Sequence, residues 1–442
     1  MSPGRYLALP AARADASSPV ATPRIAPQPR QRSLNAATIR VGLVGCGAFA
    51  RFSMQEYRRL PAVTITAVAD IDPQAARRAA TELEAEPQAP DALLSSPDID
   101  LVYIATPPAM HHRQAATALV AGTHVLVEKP LATTLADAEE LEALAAREEL
   151  VCVANLVERY NPLAHAIRRL IDSRLLGNLV HGLFINEAAD EGLGREHWFW
   201  KRDVSGGIFI EHGVHFFDLV ASWLGTGPVL SAARSMRTTD EGVGPRVHGS
   251  GHSSAPESVE EQVVCTCRYA ADSCGDGPST ASRQGAGCHS QSGVLFHFEH
   301  GFHQPSRMDR QELRLVFERG EVRLFDWVPT HGELRGLLDD DAVEVLAGML
   351  PGSAVRPLQR FEGADRRMRG RFQSFDATAL VEMTFTLGMG KLEVYGQVVR
   401  DLAADQIARI RDPDHIRRLT EADSVACVAM ACQADRLAID AP

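Results

Sequence analysis

The sequence predicts an α/β fold in which an N-terminal, doubly wound parallel sheet precedes a C-terminal α/β part with an open, mainly antiparallel sheet. Strand-like and helix-like segments alternate from residue 38 to residue 154, which is the pattern of a parallel sheet covered by helices. From residue 228 to residue 327, strand-like segments follow one another without helices between them, which is typical of antiparallel sheets. The first strand also runs directly into a glycine-rich turn.

The N-terminal elements can be assigned in order from their apolar patterns. The segments "IRVGLVG" and "VTITAVAD" are predicted to be buried strands, and "AFARFSMQEYRRL" between them has helical spacing. The next helix has Pro73 in its first turn. Strands are predicted at "DLVYIATPP", "HVLVEKP" and "LVCVANLVE", and the helix "TTLADAEELEALAAREE" begins with a threonine cap. Beyond Phe375 we expect the chain to return to helix.

The composition disfavours several classes of partner. The chain has 442 residues and a net charge of -12, and an acidic protein without a basic stripe repels nucleic acid. No apolar run reaches the roughly 18 residues of a membrane span. We therefore expect neither a nucleic-acid nor a membrane partner, and a cytoplasmic location. Residues 1–37 are rich in Pro, Ala, Ser and Arg and predict a disordered N-terminal extension, for which a targeting role stays open.

A G-x-G-x-x-A motif joins the first strand to the first helix. Gly45 permits the tight turn, Gly47 lets the backbone approach a pyrophosphate, and the small Ala50 lets helix and strand pack closely. Asp70 ends the second strand, where a carboxylate takes the adenosine ribose hydroxyls and repels a 2′-phosphate. The motif predicts a Rossmann domain that prefers NAD to NADP. The cofactor-binding candidates here are Gly45, Gly47, Ala48, Phe49, Ala50 and Asp70.

Three longer motifs follow in this order: "ATPPAMHH", "AGTHVLVEKPLATT" and "SGGIFIEHGVHFFD". Together with the glycine turn, they resemble the glucose–fructose oxidoreductase / inositol dehydrogenase / MocA (Gfo/Idh/MocA) family. The resemblance covers residues 38–442, except for Gly/Ser-rich segments near 240–258 and 272–292 that predict long loops. It implies a NAD(P)-binding Rossmann domain at 38–154 and a C-terminal domain at 155–442. The second domain would bind substrate and form a homo-oligomer through its sheet.

The resemblance also implies a reaction, namely hydride transfer between nicotinamide and a ring hydroxyl or ketone of a sugar, sugar derivative or cyclitol. Lys129 matches the family's catalytic lysine, and His215 matches its catalytic histidine. Glu211 stands where the family commonly has aspartate, which leaves the role of its carboxylate open. The residues implied near the nicotinamide end are Thr106, Pro107, His111 and, from the "EKP" motif, Glu128 and Lys129.

Spacing alone leaves three interpretations of the histidine segment. Glu211, His215 and Asp218 fall at i, i+4 and i+7 and share one helical face, whereas His212 points elsewhere. The segment could hold a catalytic imidazole with supporting carboxylates, a metal triad, or a core histidine that Asp218 satisfies. We favour the catalytic interpretation and expect no metal, because a nicotinamide carries the electron chemistry.

Two further sets of residues carry weaker signals. Side chains that could line a substrate pocket, with ordinary packing at a domain junction as the alternative, are Arg159, Asn161, Trp198, Trp200, Arg202 and Asp218. The cysteines Cys265, Cys267, Cys274 and Cys288 do not have a standard zinc-finger spacing. Strand packing explains the first two, and a metal or disulfide role stays open.

Three other functions are compatible with the predicted fold. One is an NAD-dependent glycosidase that oxidises its sugar transiently. Another is a dehydrogenase of a small carbonyl compound. The third is a regulatory sensor that binds a dinucleotide and a sugar without turnover. Intact Lys129 and His215 argue against the sensor, which has no need of them.

Overall fold

A computed structural model describes residues 38–190, 192–194, 196–236, 259–270, 293–370 and 373–440. The N-terminal strands are β1 (Ile39–Val44), β2 (Val63–Ala69), β3 (Glu86–Gln88), β4 (Leu101–Ile104), β5 (His124–Val127) and β6 (Cys152–Ala154). The helices between them are α1 (Ala48–Tyr57), α2 (Pro73–Leu83), α3 (Pro90–Leu94), α4 (His111–Val120) and α5 (Leu135–Arg147). Within the described ranges, these strands pair in parallel in the order β3-β2-β1-β4-β5-β6.

The strand order reverses between β1 and β4, and this is where ligands bind in sheets of this kind. The residues of β4 are fully buried, as expected for a strand covered by helices on both faces. Local capping agrees with the sequence analysis. Asp72 accepts a hydrogen bond from the Gln74 N–H group before Pro73 opens α2, and Thr134 accepts one from Asp137 at the start of α5.

The C-terminal part is built on a mixed, mostly antiparallel sheet. Its strands are β7 (Leu179–Glu187), β8 (Val229–Ser235), β9 (Gln262–Tyr269), β10 (Val294–Gly301), β11 (Arg310–Phe317), β12 (Gly320–Phe325), β13 (His331–Leu338), β14 (Ala354–Arg360), β15 (Arg367–Arg369), β16 (Ser374–Asp376) and β17 (Ala379–Thr386). In the described part of the chain, nine of them pair in the order β14-β17-β13-β12-β11-β7-β10-β9-β8. Only β7 and β10 are parallel among these pairs, so the predicted fold class is confirmed.

The helices of the C-terminal part are α6 (Pro162–Ser173), α7 (Arg202–Ser205), α8 (Val214–Leu224), α9 (Asp340–Met349), α10 (Lys391–Arg411) and α11 (Glu421–Asp440). The prediction that the chain is helical from Phe375 onward is wrong, because β16 and β17 precede the last two helices. In β17, Ala379, Val381, Met383 and Phe385 are buried and alternate with more exposed residues. That period of two residues is the signature of a strand.

The last two helices return to the parallel sheet. On α10, the ring of Tyr395 lies 5.4 Å from that of Phe49 on α1. On α11, Glu421 accepts a hydrogen bond from the Cys152 N–H group (3.1 Å), and the Ser424 hydroxyl accepts one from Ala154 (3.2 Å). Thus α11 satisfies backbone groups on the outer edge of β6, which would otherwise be open for pairing.

Several expectations concern residues outside the described ranges. These are the N-terminal extension at 1–37, the loops near 240–258 and 272–292, and Cys274 and Cys288. Cys265 and Cys267 lie buried on β9 as free thiols. Among the described helices, we find none with the length and apolarity needed to cross a lipid bilayer.

Candidate active site

The glycine turn after β1 has the backbone that its sequence requires. Gly45 has φ +91, and a Cβ atom there would lie 2.5 Å from the Ala105 carbonyl oxygen. Gly47 precedes α1, and a Cβ atom there would meet nothing within 4 Å. Open space therefore lies beside Gly47 at a helix N-terminus, where phosphate oxygens can accept backbone hydrogen bonds. These features fit a dinucleotide pyrophosphate.

The other residues of the turn have distinct surroundings. Ala48 is exposed at the first position of α1, and Ala50 is buried. The Phe49 ring packs against Phe52 and Tyr395, with centroids 6.0 and 5.4 Å away. Because the Phe49 side chain is occupied in packing, its backbone N–H is the group available to a phosphate.

Asp70 is fixed at the carboxyl end of β2. One carboxylate oxygen accepts a hydrogen bond from the Cys46 N–H group at 2.7 Å, and the other accepts one from Asp72 at 2.8 Å. The carboxylate thus joins the glycine turn to the start of α2. Its neighbour Ile71 is 94% exposed and offers an apolar contact beside the predicted ribose site.

Thr106 and His111 join two loops at the carboxyl edge of the parallel sheet. The Thr106 hydroxyl donates to Gln114 (2.6 Å). The His111 ring lies with one nitrogen 2.8 Å from the Thr106 carbonyl oxygen and the other 2.7 Å from that of Pro130. Burial lowers the pKa of His111 to about 4 despite these two carbonyl oxygens. Pro107 immediately precedes the short helix Pro108–Met110.

Glu128 belongs to a largely buried polar network. Its carboxylate accepts hydrogen bonds from the Tyr103 hydroxyl and from the Asn155 amide (2.9 Å), and burial raises its pKa. The Tyr103 hydroxyl also lies 3.3 Å from that of Ser53 on α1. These contacts satisfy Glu128 within the protein and fix the end of β5, directly before Lys129.

The histidine segment begins with a glycine turn, as predicted. Gly206 and Gly207 have φ +90 and φ +96, and the Ile208 N–H group donates to the buried Glu260 at 3.3 Å. The chain then forms a π-helical turn, Phe209–Gly213, before α8. A π turn adds a residue to the helical repeat, so side chains in this segment depart from the regular helical faces that the sequence analysis assumed.

Lys129 and Glu211 meet where the two parts of the chain face each other. The Lys129 ammonium group donates to the Glu211 carboxylate and to the Glu211 carbonyl oxygen, the latter at 3.0 Å. The side chains are 18% and 5% exposed. The second carboxylate oxygen of Glu211 has no hydrogen-bond partner among the described residues and lies 4.0 Å from the His212 ring.

His215 is buried with both ring nitrogens unpartnered within the described ranges. Its ring meets the edge of Trp327, with centroids 4.7 Å apart. Burial lowers its pKa well below the usual value, and the charges of Lys129 and His300 lower it further. The imidazole is therefore neutral at neutral pH and free to accept or donate a hydrogen bond.

Asp218 does not satisfy His215, so the core-histidine interpretation is wrong. The Asp218 carboxylate instead accepts two hydrogen bonds from the Arg159 guanidinium, one of them 2.9 Å long. Both side chains are almost completely buried. In the described chain, one group of three potential metal ligands has its ligand atoms within 4.8 Å of one another. This group is His112, Asp137 and Glu140. Glu211, His215 and Asp218 do not form such a group.

Other pocket candidates also have partners within the protein. Asn161 caps α6 by accepting from the Leu163 N–H group (2.9 Å), and its amide donates to the Pro329 carbonyl oxygen (3.0 Å). Arg202 forms ion pairs with Glu260 and Asp435 and packs beside Gly207 in the turn that precedes the π-helical segment. Arg159, Asn161, Arg202 and Asp218 are therefore explained by internal contacts without a substrate.

Trp198 and Trp200 remain partly exposed on the short helix Trp198–Trp200. The Trp200 ring meets Phe302 edge-on at 5.8 Å. Four aromatic residues near His215 could not be assigned from the sequence. Trp327 and His212 pack against His215, and Phe302 and His300 pack against His212. His212 lies in the segment "EHGVH" and His300 in "FEHG". The π-helical turn and the pairing of β10 with β7 bring these two histidines together.

Comparison with known proteins identifies the family. A model described as "oxidoreductase family, NAD-binding Rossmann fold" matches residues 39–156, and one for the "GFO/IDH/MocA C-terminal domain" matches 164–323. The chain is 30% identical over 237 residues to the dTDP-3,4-didehydro-2,6-dideoxy-alpha-D-glucose 3-reductase of Streptomyces antibioticus, with 52% of this chain and 70% of that protein covered. The chain belongs to the Gfo/Idh/MocA family.

Other Gfo/Idh/MocA relatives match over shorter lengths. An enzyme of the same printed name from Saccharopolyspora spinosa is 38% identical over 185 residues, covering 40% of this chain and 53% of the relative. The chain spans about half the length of the first curated relatives it matches. The structure titled levoglucosan dehydrogenase in complex with NADH and L-sorbose superposes with a TM-score of 0.66 at 17% identity, covering 91% of this chain and 97% of that one. This similarity shows a shared fold.

Proposed function

We propose that this protein is an NAD-dependent oxidoreductase that transfers hydride between nicotinamide and a ring hydroxyl or ketone of a sugar, sugar derivative or cyclitol. The observation that carries the proposal is the Lys129–Glu211 pair at the carboxyl edge of the parallel sheet, near enough to the unpartnered His215 for the lysine charge to lower the pKa of His215. The same edge carries the open space beside Gly47. The relatives named as sugar reductases and dehydrogenases support the substrate class.

The residues that would hold the cofactor fit a dinucleotide. The backbone from Gly45 to Phe49 would bind the pyrophosphate at the N-terminus of α1, and Asp70 would accept hydrogen bonds from the adenosine ribose. The fixed negative charge of Asp70 favours NAD over NADP. When bound, NAD accepts the hydride during oxidation, and NADH supplies it during reduction.

Side chains of this protein would accept the proton of the substrate hydroxyl and stabilise the negative charge that develops on its oxygen. The neutral His215 imidazole can accept the hydroxyl proton as a general base. Lys129 can donate a hydrogen bond to the same oxygen and stabilise developing negative charge. Glu211 would position the Lys129 ammonium group, to which it is bonded. The low pKa of His215 keeps its imidazole in the neutral base form at neutral pH.

A substrate screen with NAD tests this proposal. Free sugars and cyclitols, including levoglucosan and L-sorbose, are incubated with NAD, and NADH formation is followed by absorbance. We expect turnover with at least one of them. His215→Ala should reduce turnover by roughly 10²–10⁴-fold, the usual contribution of a positioned acid–base group, with unchanged NAD affinity.

The rival functions give different results in the same screen. Release of an aglycone from a glycoside without net NADH would favour the glycosidase. Binding of NAD and sugar without turnover would favour the sensor. A His215→Ala variant that turns over substrate at the wild-type rate would contradict the assigned base.

We also infer that the open face of the nine-stranded sheet mediates self-association. Val264 on β9 and Leu295 on β10 project from this face and are 38% and 36% exposed. Ile185 on β7 projects from the same face, across Glu299 from Val264. Large apolar side chains grouped on one surface are typical of protein interfaces. Ile185→Arg should shift the protein to monomer in sedimentation velocity, whereas Val345→Arg on α9 should not. A monomeric wild-type protein would contradict this inference.

A further inference from the structure

Three buried histidines form what we call the histidine cluster (His212, His215 and His300). Trp327 packs against the first two of them. The His212 ring stacks on the indole with centroids 4.5 Å apart. His300, at the end of β10, packs against His212 at 5.6 Å. Within the described ranges, five ring nitrogens of the cluster are buried without a hydrogen-bond partner: Nε2 of His212 and both nitrogens of His215 and His300.

His300 needs an explanation that the proposed reaction does not supply. Its side chain is 0% exposed, and buried polar groups are nearly always paired with protein, water or ligand. Its ring packs against the stacked pair Phe184 and Phe216, with centroids 5.2 and 5.7 Å away, and these rings offer no hydrogen bonds. The two unpartnered nitrogens therefore indicate a polar ligand that reaches this end of the cluster.

The charge state of the cluster indicates what that ligand is. Burial is the main cause that lowers the pKa of all three histidines, so each ring is neutral and offers one donor and one acceptor. A hydroxyl group matches that pairing because it also donates and accepts. The cations on adjoining elements already have carboxylate partners: Lys129 pairs with Glu211, Arg159 with Asp218 and Arg202 with Glu260.

We propose that His300, together with Nε2 of His212, binds a hydroxyl next to the reacting one, so that the substrate is an uncharged ring with vicinal hydroxyls. The inference rests on the proposed function and names His300 as a residue that determines specificity. Trp327 is partly exposed beside His212 and His215 and presents an apolar surface that suits the C–H groups of such a ring.

The test compares each parent polyol with its monodeoxy analogues. The panel is D-glucose, levoglucosan, L-sorbose and myo-inositol, measured with NAD, and the member with the highest kcat/KM is carried forward with its analogues and its phosphate ester. Wild-type protein should prefer the parent to at least one analogue by about tenfold or more, because a site built to bind a hydroxyl rejects the analogue that lacks it. His300→Leu should reduce that ratio below about threefold, mainly through KM.

Two variants separate recognition from folding. His300→Gln keeps a donor and an acceptor and should retain part of the preference, whereas His300→Phe keeps the ring shape and should lose it. His297→Phe is the matched control, because His297 lies on the same strand but on the opposite face, where it bonds with Thr266 at 2.8 Å. It should keep the wild-type preference ratio.

The possible failures are distinguishable. If wild-type protein oxidises no member of the panel with NAD, the proposed function fails, and this inference fails with it. If wild-type protein turns over a polyol but His300→Leu and His300→Phe keep its preference ratio, only this inference is wrong, and ordered water satisfies His300. A phosphate ester with a higher kcat/KM than its parent would overturn the uncharged class.

Discussion

Glu211 on the π-helical turn holds the ammonium group of Lys129 at the end of β5, so one ion pair connects the C-terminal part of the chain to the parallel sheet. The two residues are 82 positions apart in sequence. Their pairing orients the lysine through a carboxylate, and it also makes the position of the π-helical turn depend on the Rossmann side of the site.

Breaking this ion pair should separate stability from activity. Lys129→Met leaves the Glu211 carboxylate buried without its partner, and the free energy of unfolding should fall by about 3 kcal/mol. The double variant Lys129→Met/Glu211→Gln should regain most of that stability without regaining turnover. Arg356→Met, which removes an exposed partner of Glu382, should cost less than about 1 kcal/mol. Chemical denaturation and turnover of wild type and these three variants check the prediction, and a fully active double variant would contradict it.

In the turn after β1, substitution of Gly45 and of Gly47 by alanine should have different effects. Gly45→Ala places a Cβ atom 2.5 Å from the Ala105 carbonyl oxygen at φ +91, so the melting temperature should fall. Gly47→Ala meets nothing within 4 Å, so the cofactor-free protein should melt almost as wild type does while its affinity for NAD falls by at least about tenfold. Calorimetry of both variants, with and without NAD, checks this. Equal losses of stability would show that Gly47 has a structural role instead.

Asp70 should control the choice between NAD and NADP. Asp70→Asn keeps a carbonyl oxygen for the Cys46 N–H group but removes the charge that repels a 2′-phosphate. We expect the ratio of NADP to NAD affinity to rise by about tenfold or more, equivalent to about 1.4 kcal/mol. Fluorescence titration with both cofactors measures the ratio. Wild-type protein that binds NADP tenfold more tightly than NAD would refute the assignment.

Acid should destabilise the protein over a defined pH range. Burial lowers the pKa of His111 and His124 to about 4 and that of His300 to about 3. Unfolded histidine titrates near pH 6.5, so below about 6.5 the unfolded chain binds protons that the folded chain does not. Each such group then lowers the free energy of unfolding as pH decreases, by up to about 1.4 kcal/mol per pH unit.

We therefore expect full stability from these groups above about pH 6.5 and a steep loss between there and pH 4. Urea denaturation at several pH values measures the slope. His300→Phe should have a shallower slope than wild type, because one titrating group is gone. A stability that does not change between these pH values would contradict the neutral state of the cluster.

Local signals account for what the sequence predicted well. The order of Gly45 and Gly47 after a buried strand, the proline that opens α2 and the threonine before α5 each act within a few residues of their own position. The pattern of the parallel sheet follows from such signals. The family motifs then pointed to Lys129, Glu211 and His215, and the structure brings Lys129 and Glu211 into contact beside the histidine segment.

Long-range contacts explain what the sequence did not predict. The partner of Asp218 is Arg159, 59 residues away, and nothing near either residue in the sequence indicates that pairing. The π-helical turn adds a residue to the repeat, so His212 joins the cluster although regular helical spacing directs it elsewhere. His300 reaches the cluster only because β10 pairs with β7. The sequence analysis assigned the region of β17 to helix, although its apolar residues alternate with polar ones as in a strand.

The position of α11 has a consequence for the order of synthesis. The chain emerges from the ribosome from its N-terminus, so β6 is made well before Glu421 and Ser424, which bond to its edge. Until α11 is synthesised, the Cys152 and Ala154 N–H groups lack those partners. A nascent chain halted before residue 421 should therefore carry an unpaired strand edge that can pair with other chains, and premature termination before that residue should produce aggregates rather than a functional shorter enzyme.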